Sequence, residues 1–306
     1  MDRAGTGEAR THSLGIALVT CSAAVFGLAG VLTKSIDADP LTINCWRGLV
    51  GALLLTAYVF WRRSREVAPR PLRLGWRGWL MAVVGALASI AFIAAFKNTY
   101  VANVAIIYAT APFVAALLAW LLVRENIRPQ TMLAAALSLS GVGLMVFSGI
   151  GTGRPFGDGL ALLMTLGSAL YMVLIRKFRD TPVVWAGAVS AFLLFVLGWF
   201  VTDPLAISTR DAVLLAAFGV SFAIASVLWT EGSRLIPAAE AGLLGSAEVP
   251  FAFLFGWLFL AEFPPVASLL GGAIVLAAVF AHAARDLAVA RAEPAILEKC
   301  AVAKKN

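Results

Sequence analysis

Apolar runs of helix length recur ten times along a chain of 306 residues. They cover residues 14–33, 41–60, 77–96, 99–123, 131–149, 158–176, 183–201, 212–230, 238–260 and 266–284. A hydrocarbon layer about 30 Å thick needs about 20 apolar residues at about 1.5 Å each, and every backbone polar group inside it must find its partner within the protein. The pattern predicts an all-α integral membrane protein with ten transmembrane helices. Composition agrees, with 61% hydrophobic and 13% charged residues and a mean hydropathy of +0.89; soluble domains have about 45–50% and about 25%. The connections, such as "SIDADP", "RRSREVAPRPLRLG" and "EFPP", are short and carry turn and charge signals, leaving no room for a soluble domain. The first run is longer than a signal-peptide core and leads directly into the second, so it reads as a helix. Residues 1–13 and 285–306 are polar end segments, expected to be poorly ordered.

A net charge of +7 raises nucleic acid as a partner, but the Lys and Arg residues flank apolar runs, as topology-setting charges do. With the N-terminus in the cytoplasm, nineteen of them fall on the cytoplasmic side and four (Lys34, Lys97, Arg154 and Arg210) on the other. Both termini are therefore expected in the cytoplasm. Cys21 and Cys45 lie in apolar runs and Cys300 in the tail, without paired or metal-ligand spacing. No metal and no cofactor is expected.

The chain also repeats itself. "PFVAALLAWLLVRE" at 112–125 returns as "PFAFLFGWLFLAE" at 250–262, and "WRGLVGALLL" at 46–55 as "WAGAVSAFLL" at 185–194. Gly15, Leu18, Val31 and Leu32 match Gly157, Leu160, Val173 and Leu174, and Gly85 matches Gly219. The common order of these matches divides the chain into repeats at 14–149 and 157–284. Each repeat has five spans, an odd number, so the second must enter the membrane from the opposite side. Two inverted five-helix repeats are the architecture of many secondary transporters, in which one site faces each side in turn.

On these residues the chain resembles the drug/metabolite transporter superfamily, EamA type. Each half has a fourth span with Pro-Phe, a Trp and a closing Glu, followed by a helix rich in small residues, "LAAALSLSGVGLMV" or "LLGGAIVLAAVFA". Within the superfamily it looks most like the YddG-type exporters of amino acids. The resemblance implies a secondary transporter of the bacterial inner membrane that exports small metabolites, neutral or aromatic amino acids first among them. Efflux of hydrophobic cationic drugs is the alternative. The partners it implies are a small-molecule substrate and the lipid bilayer, with protons as the candidate coupling ion. A monomer and a homodimer both fit.

Polar groups inside hydrocarbon are costly and point to the substrate path. Glu248 lies midway along the ninth span, on a face shared with the small residues Ala238, Ala241 and Gly245. It serves either as an anchor for a substrate ammonium, as a proton carrier, or as a protonated group bonded to a neighbouring helix. On the fourth span Tyr100, Asn103, Ile107 and Thr110 form one partly polar stripe, with Tyr108 on another face. Asn103 suits either a substrate or a helix–helix hydrogen bond. Pro112 and Pro250 are expected to bend their helices at equivalent places. Phe26, Tyr171 with Ser168, and Trp229 with Phe222 and Ser226 are candidate walls for an apolar substrate. Core packing is the competing reading for each. Arg47, two turns inside the second span, either snorkels outward to Asp37 or Asp39, the reading preferred, or binds an anionic substrate.

An intramembrane enzyme is the rival from another class. The two histidines, His12 and His282, lie near opposite ends of the chain, and no H-E-x-x-H, G-x-S-x-G or Walker motif occurs. No catalytic residue is assigned, and an enzyme is not expected.

Overall fold

The computed structural model of the chain describes residues 2–65, 72–124, 129–148, 154–178 and 180–303. These form helices only: α1 Asp2–Gly27, α2 Ala29–Ser35, α3 Pro40–Arg63, α4 Gly75–Asn98, α5 Val101–Ala109, α6 Ala111–Val123 and α7 Pro129–Ser148. They continue as α8 Pro155–Lys177, α9 Val183–Val201, α10 Thr209–Gly232, α11 Ala238–Gly245, α12 Glu248–Leu260 and α13 Val266–Ala303. Among the described residues nine helical segments are long and apolar enough to cross a membrane, and α7 carries a shorter apolar stretch, Pro129–Met145. The chain is an integral membrane protein. Helix reaches back to Asp2 and on to Ala303, so the described parts of the two polar end segments are helical.

The starts follow from local chemistry. Asp39 caps α3, accepting hydrogen bonds from the N–H groups of Leu41 at 2.9 Å and Thr42 at 3.0 Å, with Pro40 in the first turn where its missing N–H costs nothing. Ser208 caps α10 by accepting from the Asp211 N–H at 3.1 Å, and its hydroxyl donates to the Asp211 carboxylate at 2.7 Å.

Three spans are broken. Between α5 and α6, Pro112 cannot donate back to Tyr108, and the chain passes through Thr110 by a tighter bond from its N–H to the Ile107 carbonyl at 3.1 Å. The Thr110 hydroxyl donates to the same carbonyl at 2.7 Å. Between α11 and α12, Pro250 cannot donate to Ser246, and the Ala247 N–H reaches the Leu244 carbonyl at 3.1 Å. The third break, at Leu28 between α1 and α2, has no proline.

In the packing, α3 lies against α9 and α7 against α13, while α1 lies on α10 and α4 on α8. Glycines permit the closest crossings. At α7–α13 a Cβ on Gly141 would stand 2.7 Å from the Gly271 carbonyl, and one on Gly271 would stand 2.4 Å from the Gly141 carbonyl. The short α5 is the most enclosed element, with all its residues buried except Tyr108.

Both ends of the bundle carry polar bonds between helices. At one end Lys34 pairs with Glu262, whose other oxygen accepts from the Val101 N–H at 2.9 Å. Nearby, the Asp37 N–H donates to Asp211 at 3.0 Å and Trp46 Nε1 donates to the Pro204 carbonyl at 2.7 Å. At the other end Glu231 accepts from Tyr58, Arg62 and Arg234, and His12 meets Glu240 at 2.8 Å. Glu125, the counterpart of Glu262 in the first repeat, lies outside the described residues, as does the loop at Gly153.

Candidate functional site

Midway between these ends lies a cavity of about 310 Å³. Broken helices frame it. Glu248 opens α12 at the α11–α12 break and faces the cavity, and Tyr108 does so from the turn before the α5–α6 break. Phe26 enters from α1, ahead of the break at Leu28, and meets Phe222 of α10 edge-on, with ring centroids 6.5 Å apart. Phe92, Tyr171 and Phe218 complete an aromatic wall, while Ser89, Ser168, Ser190 and Ser221 supply hydroxyls. Gly85 makes room on α4: a Cβ there would stand 3.0 Å from the Ser190 hydroxyl and 3.6 Å from the Tyr171 ring.

Of the residues singled out from the sequence, Glu248, Tyr171, Phe26, Phe222 and Ser168 come together here, with Tyr108 and Arg47. The others lie elsewhere. Asn103 is 4% exposed and donates to both oxygens of Asp158, at 3.2 and 3.5 Å, tying α5 to α8. Thr110 bonds its own helix at the break. Tyr100 stands before α5 under the Arg154 guanidinium, 5.2 Å from the ring centroid. Ser226 donates to the Phe222 carbonyl at 2.8 Å, and Trp229 packs against Gly245. The polar stripe misleads because α5 is enclosed on all sides. A stripe on such a helix marks a hydrogen-bonding neighbour as readily as a cavity, and here the Tyr108 side turns to the cavity.

Arg47 does not snorkel outward. It does not reach Asp37 or Asp39; it is 6% exposed and lines the cavity. Its Nη2 donates to Ser89 and, at 3.3 Å, to Asn44 Oδ1. The Ser89 hydroxyl in turn donates to Asn44 Oδ1 at 3.1 Å, and Asn44 Nδ2 is fixed on the Pro40 carbonyl at 2.9 Å. The guanidinium carbon lies 5.2 Å from the Phe218 ring centroid and 4.9 Å from that of Phe222, where ring faces stabilise a cation. The signal for it was Asn44, one turn ahead on the same face, which holds an arginine inward rather than freeing it to snorkel.

The arrangement can bind a small molecule. No cluster of three metal-ligating side chains occurs among the described residues, and the cavity joins one cation, one carboxylate, aromatic walls and hydroxyls.

Comparison with known proteins agrees with this architecture. The model of the EamA-like transporter family matches the chain twice, over residues 13–147 and 155–282. A protein of Archaeoglobus fulgidus described as an uncharacterized transporter is 28% identical over 88% of this chain and 96% of its own. Protein RarD of Streptomyces exfoliatus is 27% identical over 84% of this chain and 82% of its own. Human solute carrier family 35 member G1 is 21% identical over 84% and 75%. A crystal structure covering 88% of this chain and 96% of its own superposes with a TM-score of 0.61 at 20% identity, a likeness of fold alone. With nearly its whole length matched in two successive segments, the chain belongs to the EamA-like transporter family.

Proposed function

We propose that the protein is a secondary transporter that exports small metabolites across a bacterial inner membrane by alternating access, with neutral or aromatic amino acids as its substrates. The observation that carries this reading is the cavity at mid-bundle, built by both matched segments and bordered by broken helices. The first segment contributes Phe26, Arg47 and Tyr108, and the second Tyr171, Phe222 and Glu248. Sites of this kind, at the interface of two repeats and beside discontinuous helices, suit alternating access.

The division into repeats at 14–149 and 157–284 and their inverted arrangement are part of the proposal. The packing supports it. Exchanging each element for its counterpart in the other half turns the α1–α10 contact into α8–α4, and returns α3–α9 and α7–α13 to themselves. A two-fold axis in the membrane plane produces such a pattern. Pro112 and Pro250 then bend equivalent helices.

Aromatic walls and a carboxylate also suit a hydrophobic cation. Arg47 on the same cavity disfavours that alternative, because a second positive charge is repelled at close range in a medium of low dielectric. The test is efflux from liposomes containing the purified protein and loaded with a labelled amino-acid mixture. Neutral and aromatic members are expected to leave faster than from empty liposomes; equal rates for the whole mixture overturn the assignment.

A further inference from the structure

Arg47 and Glu248 border one cavity, yet no ion pair joins them among the described residues. Each comes from a different matched segment. The two hydrogen bonds of the Arg47 guanidinium run through Nη2, and its Nε–H, fully enclosed, has no partner. A buried donor without a partner is unfavourable and calls for a reason, a bound water or ion among them. Ser89 and Asn44 hold one edge of the fork and two phenyl rings lie against it, so the group is set in place before any ligand arrives. A planar fork with free N–H groups matches a carboxylate better than a point cation does.

From this we infer that the site recognises a zwitterion by both its charges: Arg47 takes the carboxylate, Glu248 the ammonium, and the Phe26–Phe222 side receives an apolar side chain. This rests on the transport reading above and deepens it. Arg47 becomes the group that tells an amino acid from its decarboxylated amine. Ser89 acts through Arg47 and is a positioning residue.

The test uses proteoliposomes moving labelled phenylalanine, with phenylethylamine and 3-phenylpropionate as competitors. In the parent both analogues are expected to compete about tenfold or more weakly than phenylalanine, since each leaves one buried charge unmatched. Arg47→Gln is expected to erase the discrimination against phenylethylamine, and Glu248→Gln that against 3-phenylpropionate. Variants that no longer move phenylalanine are read by the rise in melting temperature that each probe gives in detergent. Ser89→Ala, a smaller change, is expected to weaken phenylalanine several-fold and leave phenylethylamine unchanged; equal weakening of both speaks for a merely structural role and against the inference. If the parent moves phenylalanine but Arg47→Gln keeps the parent's ratio of the two probes, the inference falls and the transport reading stands. If the parent moves no labelled amino acid, both fall.

Discussion

At the scale of single residues, Asp39 ties the entry of α3 to the acidity of its surroundings. Burial pushes its carboxyl up, but the Thr42 hydroxyl and the N–H groups of Thr42 and Leu41 outweigh this and hold it below the usual carboxylate range. A carboxylate depressed in the folded state stabilises the fold fully above its unfolded pKa, and that contribution fades as the pH falls through the folded value. Asp39→Asn should therefore melt below the parent at neutral pH, and the gap should close as the medium is acidified. A gap that does not change with pH denies the ionised form any part in stability. The same scale shows what a sequence can carry. Glu248, Tyr171 and Phe26 were legible because an intramembrane carboxylate and mid-span aromatics are unusual enough to notice. For Asn103 and Arg47 the choice between two readings was not legible, because type and depth are written in a sequence while direction is not. Asn103 turned to Asp158, and Arg47 turned inward because Asn44 and Ser89 were there to receive it.

At the scale of elements, the breaks beside Pro112 and Pro250 were visible as missing donors, whereas the one at Leu28 was not. Gly27 beside it lies against α12, where a Cβ would stand 2.8 Å from Phe251, and nothing local announces that neighbour. Another pair of features appears only in three dimensions. The helices α6 and α12 end on Arg124 and Ala261, both in the left-handed region, with φ of 56° and 50°. A side chain there costs about 1–2 kcal/mol, and glycine avoids most of this while giving back about 0.5–1 kcal/mol in unfolded-chain entropy. Ala261 is exposed and its side chain fills no core position. Ala261→Gly should accordingly stabilise by about 0.5–1 kcal/mol, seen as a higher melting temperature in detergent. A lower one implies that the turn into α13 relies on the methyl group.

At the scale of the whole molecule, the number of spans and the placement of positive charges make the clearest prediction. A reporter active only in the cytoplasm should work when fused after residue 306 and stay silent when inserted near Gly153. The opposite pattern overturns the orientation together with the odd-numbered inverted repeat. The repeat itself was readable because two copies of one pattern share an order, but the cavity was not, since it arises where nine helices meet and no single one encloses it. One feature at the Lys34 end bears on the molecule at rest. Glu262 holds Lys34 of α2 with one oxygen and the first N–H of α5 with the other, from the turn between α12 and α13. Parting any one of these elements leaves a charge or an amide unmet in the others, so the cost of separation arrives together rather than in instalments. A slightly parted state at this end is thus disfavoured, and separation here is expected to be all-or-none.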